Sequence, residues 1–332
     1  MKIDFLDGLS LGKVQKSGPM TVVPLLGEDA TKNLASFNDI QFNKVVTYGE
    51  MNFSNNSEKP FILPSGYAIM TKQLAQDHAL VYSTILPGEC QRTIESACCI
   101  QETQCGYIDG KGIKHFNFLP IEIRKNSVLK HTNNNSYHFE FSRLWPIISK
   151  FQKDLLKNGV GNLILYFNKY MDKLASYNAE FETVNGQRGA IILYNNEIVG
   201  IEIAPTQEYW KHIWNPLIRD AYGSTILKNS LMNPTKSFES SIDNSCNLEN
   251  CKSADDIMKE LNNLEFSNKI KIFEKINEFS DKNDFIEFKD AGFRIDETQV
   301  GKLTHIIAKS ESSAIVDFYK ENNKIIYLSM LA

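Results

Sequence analysis

The chain of 332 residues is 42% hydrophobic, enough to bury at least one sizeable core, and its length suits one large domain or two modest ones. Its 36 basic and 40 acidic residues are spread along the chain and leave a net charge of −4, which argues against a broad electropositive face for nucleic-acid backbones. The start, MKIDFLDGLSLGKVQKSGPM, lacks the apolar run of a signal peptide and no later stretch approaches a membrane span, so the expected location is cytoplasmic.

Residues 20 to 125 alternate short apolar runs with turn residues: MTVVPLLG, NKVVTYGEMNF, KPFILPSGYAIM, HALVYSTILPGE and FNFLPIEIRKN. β-Branched and aromatic enrichment with Pro and Gly punctuation predicts a mostly antiparallel β lobe, with Asp109-Gly110 as a hairpin turn. From Ser142 the period changes. Leu144, Trp145, Ile148, Phe151, Leu155 and Leu156 recur at helical spacing, with Ser142 placed to cap and Gly159 to stop the helix. A second helix carries Leu163, Phe167, Tyr170, Met171 and Leu174 on one side.

Ala190 to Tyr194 and Ile198 to Ile203 read as strands joined at Asn195-Asn196, and Thr206 then caps a helix with a wide apolar face that includes Tyr209, Trp210, Ile213 and Trp214. Pro216 should kink or divide that helix. Trp145, Trp210 and Trp214 all fall on apolar faces and are expected to be buried. Residues 229 to 253, rich in Asn and Ser, look like a long loop. Two helices are predicted near 254–265 and 267–279, followed by strands in FIEFKD, GFRIDET, GKLTHIIAKS, SAIVDFYK and NKIIYLSML. Strands, then helices, then strands give an α+β fold: a β-rich N-terminal lobe over 1–140, and a helical and β lobe over 141–332 with its loop at 229–253.

The chemistry-bearing motifs are sparse. Neither GxGxxG nor GxxxxGK[ST] is present, and Gly-x-Ser-x-Gly and His-Glu-x-x-His are absent as well. Six cysteines, at 90, 98, 99, 105, 246 and 251, lack the paired CxxC of a zinc ribbon and are expected to be reduced thiols, so neither a metal nor a cofactor is indicated. The densest polar cluster offers Gln76, Asp77 and His78, just before a strand, and Gln101, Glu102 and Gln104 in a second segment that could pair with it. Two carboxylates and an imidazole can move protons or hold an amide-bearing ligand, although the default for such residues is the wet face of a half-exposed sheet. Glu202 lies in the apolar strand VGIEI, where alternation makes it solvent-facing by default; Arg188 and Arg294 could clamp a carboxylate or phosphate, with surface roles as the default.

Taken in order, NGQRGAIILYNNEIVGIEIAPTQEYWKHIWNPLIRDAY, MTVVPLLG, QDHALVYSTILPGE, FSRLWPIISKF and the closing GKLTHIIAKSESSAIVDFYKENNKIIYLSML resemble a bacterial domain family of unknown function. That family is named for its association with ADP-ribosylglycohydrolases and rhodanese/phosphatase-superfamily proteins, and the likeness spans nearly the whole chain. Departures occur at Gln76-Asp77-His78, where the family pattern has Gln-Asn-Arg, at CIQETQCGY, which lacks Arg-Trp, and at Tyr327, where His is more usual. The resemblance implies one family domain in two lobes that keeps company with NAD and ADP-ribose metabolism. The leading expectation is a cytoplasmic ligand-binding or accessory protein beside such enzymes, in stress or phage-conflict systems, with a nucleotide-like ligand near Gln76, Asp77, His78, Gln101, Glu102 and Glu202. Two alternatives stand beside it: a hydrolase or transferase on a nucleotide-derived or ADP-ribosyl substrate acting through Asp77, His78 and Glu102, and a structural assembly subunit. Self-association is left open; neither a membrane nor generic nucleic acid is expected as a partner.

Overall fold

The computed structural model describes residues 1–45, 48–71, 77–102, 113–132, 140–156, 161–233, 251, 253–288 and 303–332. The fold is α+β, as the order of patterns predicts, with strands concentrated toward the N-terminus and antiparallel strands at the C-terminal end. The first part of the chain supplies β1 (Ser10–Leu11), β2 (Gln15–Ser17), β3 (Met20–Leu26), β4 (Ile40–Val45), β5 (Met51–Asn55), β6 (Phe61–Leu63), β7 (Tyr67–Thr71), β8 (His78–Leu80), β9 (Thr84–Leu86), β10 (Cys90–Ile94), β11 (Ala97–Cys99) and β12 (Ile113–Phe118). Helices α1 (Ile121–Thr132), α2 (Trp145–Gln152) and α3 (Leu163–Glu180) follow. Next come β13 (Gln187–Tyr194), β14 (Glu197–Ile203), α4 (Gln207–Pro216), a π-helical segment (Leu217–Gly223) and α5 (Ser224–Met232). The chain closes with α6 (Ala254–Lys282), β15 (Phe285–Glu287), β16 (Leu303–Ser310), β17 (Ile315–Glu321) and β18 (Lys324–Leu331).

The principal sheet runs β1-β3-β13-β14-β18-β17-β16-β15, with β2 against β3 and every pairing antiparallel. Both of its faces are covered. Ala190 and Ile192 point toward Trp210, Ile218 and Tyr222 on one side, while Ile191, Leu193 and Ile201 point toward Ile272 and Ile276 of α6 on the other. This double burial explains why AIILY reads as a continuous apolar run rather than an alternation. A smaller sheet, β11-β8-β7-β12, packs with α1, α2 and α3 around a separate core that includes Ile123, Ile148, Phe151, Tyr166 and Leu174.

Local chemistry accounts for the connections. Asn195 and Asn196 both take left-handed conformations, φ 48° and 68°, the requirement of a two-residue hairpin turn whose twist matches its strands. Thr206 caps α4 by accepting the Tyr209 N–H at 3.0 Å. Pro216 lacks the amide that would close the helical turn, and a wider π-helical segment takes over immediately after it.

Several sequence expectations are corrected. IEIRKN, read as strand, opens α1: Pro120 supplies a fixed φ ahead of its first turn and its carbonyl accepts the Arg124 N–H at 3.0 Å. Residues 254–282 form one helix of 29 residues rather than two, because no Gly or Pro interrupts it and Ser253 with Asp256 builds a capping box at its start. Residues 229–232 belong to α5 rather than to a loop. Leu144, not Ser142, occupies the cap of α2 and makes no side-chain cap bond; Pro146 sets the first turn instead. Trp210 and Trp214 are buried, whereas Trp145 is only half-buried at the helix start. Asp109-Gly110, Gly159 and GFRIDET lie outside the described residues.

Candidate functional site

β8 and β11 bring the two polar stretches singled out in the sequence side by side. His78 stands opposite Cys99, and the Ile100 N–H donates to the Asp77 carbonyl at 3.0 Å. The side chains, however, are differently engaged. His78 Nε2 lies 3.2 Å from Cys99 Sγ and accepts the Gly49 N–H at 3.2 Å, with His78 and Asp77 wholly buried. Glu102 is exposed and its Oε2 accepts the Gly161 N–H at 2.9 Å. Gln101 is buried against Asn162, and its Oε1 has no hydrogen-bond partner among the described residues, as is true of Gln152 Oε1 and Trp145 Nε1 nearby. Gln76 and Gln104 lie outside the described residues.

The His78–Cys99 pair has the composition of a nucleophile and its base without the electrostatics. Burial pushes the Cys99 thiol up to about 12, the Gly49 N–H opposing it only in part, and burial pushes Cys98 up to about 12 as well. At neutral pH only about one in 10⁵ such thiols is ionised, and the thiolate is the reactive species. Among the described residues no group of three or more His, Cys, Asp or Glu side chains is arranged to hold a metal ion.

Glu202 is a correction: it faces the interior. Its carboxylate meets Arg124 Nη1 at 2.9 Å and accepts the Tyr222 hydroxyl at 2.9 Å, while Arg124 Nη2 donates to Ser329 Oγ at 2.5 Å. Because β14 is central and covered on both sides, alternation along the strand no longer separates wet from dry positions. Burial raises the Glu202 pKa, against the opposing pull of Arg124, Tyr222 and Ser329. Arg188 is likewise buried rather than superficial, donating to the carbonyls of Ala204 at 3.0 Å and Glu28 at 2.9 Å. Arg294 lies outside the described residues.

A constellation that sequence spacing did not suggest joins Ser83 to β16 and β17. Asp317 Oδ2 accepts the Ser83 N–H at 2.8 Å, its Oδ1 accepts the Ser83 hydroxyl, and His305 Nε2 lies 2.8 Å from the same Oδ1 and 3.2 Å from Ser83 Oγ. His305 also stacks on its cross-strand neighbour Tyr319, with centroids 4.3 Å apart and planes 6° from parallel. The composition is that of a hydrolytic triad; the wiring is not. In a relay the carboxylate holds one imidazole nitrogen and the hydroxyl meets the other, whereas here both meet Nε2 and Ser83 donates to Asp317.

An open cleft of about 360 Å³ lies between residues 34–38 and the start of α4, lined by Ser36, Phe37, Asn38, Glu208, Lys211 and His212 among others. Ser36 and Asp39 fix the short helical turn Phe37–Asp39 with a capping box, which holds the Phe37 ring flat against His212 at 3.8 Å and 8°. Tyr209 packs beside Phe37 at 4.8 Å, and the half-exposed Phe116 ring approaches His212 at 6.4 Å while stacking on Tyr67. Although His212 as a whole is exposed, Phe37 shields one ring face; that desolvation lowers its pKa against the pull of Glu208 and keeps the imidazole neutral at pH 7. Glu208 Oε1 accepts the Ser36 hydroxyl at 2.8 Å and its second oxygen makes no hydrogen bond among the described residues. The sequence hinted at this site only through His212, a polar ring three positions after Tyr209 on the aromatic helix.

The family model of ARPP-1, the ARG and Rhodanese-Phosphatase-superfamily-associated Protein domain, matches residues 8–278. The chain belongs to the ARPP-1 family. No curated protein and no solved structure matches it. Every residue of the Phe37–His212 cleft falls within the ARPP-1 match, whereas the Ser83 constellation depends on β16 and β17 beyond it. The ARPP-1 name ties the family to ADP-ribosylglycohydrolase and rhodanese proteins, which is compatible with an accessory role. Among the described residues no helix is long and apolar enough to cross a membrane.

Proposed function

We propose that this ARPP-1 protein is a cytoplasmic accessory protein that binds an ADP-ribose-type nucleotide in the Phe37–His212 cleft. It acts beside enzymes of NAD and ADP-ribose metabolism, in stress or phage-conflict systems, without turning the nucleotide over. The observation that carries the reading is the donor set of the cleft. Its volume, about 360 Å³, falls within the range of small-molecule sites. The Phe37 and His212 rings offer a planar base an aromatic surface. The open oxygen of Glu208 suits a ribose hydroxyl, as acidic side chains do in dinucleotide sites, and Lys211 supplies a cation for a phosphate. The family's company supplies the ligand class. The buried, un-ionised Cys99 argues against covalent chemistry at the other polar cluster.

Isothermal titration of ADP-ribose, NAD and AMP into wild type, Glu208→Gln and His212→Ala, with mass-spectrometric analysis of the same mixtures, tests this reading. The expected result is binding by wild type, weakening by about 1–3 kcal/mol in each variant, and unchanged nucleotide. Wild type that does not bind at millimolar ligand, or variants that bind as wild type does, would overturn it.

One observation favours a hydrolytic reading, the convergence of Ser83, His305 and Asp317. On that reading Asp317 must release the Ser83 hydroxyl so that it can turn to His305. Hydrolysis of ADP-ribose by wild type that disappears in Ser83→Ala would favour it.

A further inference from the structure

The chain itself holds the Glu208 carboxylate in place at the cleft. Ser36 Oγ accepts the Asn38 N–H at 3.2 Å, so its own proton goes to Glu208 Oε1 at 2.8 Å, and the second Glu208 oxygen remains as an acceptor at the wall. Backbone donors around it are engaged elsewhere. The Ser36 N–H donates to Asp39 at 3.0 Å, the Gln207 N–H to Asp29 at 2.8 Å and the Tyr209 N–H to Thr206 Oγ1 at 3.0 Å. Among the described residues that line the cleft, Glu208 is the one carboxylate and Lys211 the one cation.

This wall distinguishes a free ribose from a phosphorylated one. Ribose hydroxyls bring the donors that a carboxylate accepts, whereas a phosphomonoester brings acceptors and close to two negative charges at neutral pH. The 5′-phosphate chain of a nucleotide can take Lys211, but a further phosphate on the ribose would meet Glu208 with no second lining cation to offset it. The 2′ and 3′ hydroxyls are neighbours on the ring, so a 2′-phosphate sets its charge beside Glu208 whichever of the two donates to the carboxylate. Asp29 and Asp39, fixed on the Gln207 and Ser36 amides, add charge of the same sign at the same end.

We infer, given the nucleotide reading of the cleft on which this rests, that Glu208 selects nucleotides whose ribose is unphosphorylated and rejects their 2′-phosphates. The ligand is thus of the kind derived from NAD rather than from NADP. Repulsion between a carboxylate and a phosphate dianion about 4 Å apart across water lowers affinity by about tenfold or more. Because Glu208 is exposed, added salt screens that repulsion and narrows the discrimination.

Isothermal titration of ADP-ribose and of its 2′-phosphate into wild type, Glu208→Gln and Glu208→Lys tests it, at low and at physiological salt, with circular dichroism to verify that each variant is folded. Wild type is expected to bind ADP-ribose about tenfold or more tightly than the 2′-phosphate at low salt, and by a smaller ratio at physiological salt. Glu208→Gln should bring the two affinities close together, and Glu208→Lys should reverse the preference. Equal affinity of wild type for the two nucleotides, or a preference that survives Glu208→Gln, would overturn the selectivity and leave nucleotide binding in place. A wild type that binds neither would overturn the nucleotide reading itself, and the selectivity with it.

Discussion

The Arg124 guanidinium and the Glu202 carboxylate meet at 2.9 Å with their side chains only 1% and 5% exposed, so α1 and β14 are joined by an ion pair in the core. Tyr222 and Ser329 each add a hydrogen bond to the pair, Arg124 Nε has no partner among the described residues, and the Cβ-free face of Gly66 leaves room for the Arg124 side chain. Removing one partner strands a buried charge. Glu202→Leu should therefore destabilise the fold by about 3–5 kcal/mol, and Arg124→Met/Glu202→Leu should recover most of that loss. Chemical denaturation of the two variants measures both numbers, and a single variant as stable as wild type would contradict the assignment.

Gly200 sits beneath the Tyr222 ring. A Cβ there would come within 2.1 Å of the Tyr222 hydroxyl and 2.7 Å of its ring carbons, so Gly200→Ala must push Tyr222 away from Glu202. The expected cost is about 1–3 kcal/mol from overpacking, read as a lowered urea midpoint with an unchanged slope. The same substitution at Gly18, where nothing lies within 4 Å, introduces no clash and meets only the local backbone conformation, φ +52°.

The buried thiols predict a labelling order. Cys98 and Cys99, both pushed up to about 12, should resist iodoacetamide in the native protein, whereas the partly exposed Cys251 should react. Peptide mass spectrometry before and after unfolding reads the order directly. Rapid modification of Cys99 in the folded state would mark it as an activated nucleophile.

His212 sets the pH dependence of the cleft. Its pKa lies below the usual imidazole value of about 6.5 because Phe37 desolvates it, with Glu208 pulling the other way. A depressed base contributes stability that is present above the unfolded-state value and is lost as pH falls through the folded-state value. Nucleotide affinity that uses the neutral ring should accordingly be flat from about pH 8 to 6.5 and fall on further acidification. His212→Asn should remove the acid limb, and titrations at a series of pH values check both expectations.

What the sequence conveys well here is local. The Asn195-Asn196 turn, the Thr206 cap and the divided helix after Pro216 follow from residues within a few positions of one another. The pairing of the Asp77–His78 and Gln101–Glu102 stretches is only a possibility in the sequence, and the β8–β11 ladder is what brings them together. What it conveys poorly depends on which layers cover a strand. Glu202 and Arg188 look superficial until β13 and β14 are found in the middle of a sheet covered on both sides. The Phe37–His212 cleft and the Ser83–His305–Asp317 cluster join residues that lie, respectively, 175 and more than 200 positions apart, a juxtaposition no spacing rule encodes. α6 reads as two helices although neither Gly nor Pro interrupts residues 254–282.

The location and chemistry of nucleotide binding are tested most directly by amide hydrogen exchange with and without saturating ADP-ribose, followed by mass analysis of the recovered nucleotide. The account requires slowed exchange in residues 34–38 and across the Thr206–His212 turn that line the cleft, no change in the β8–β11 pair, and intact ADP-ribose. Protection centred on Ser83, β16 and β17, or recovery of a hydrolysed product, would contradict it.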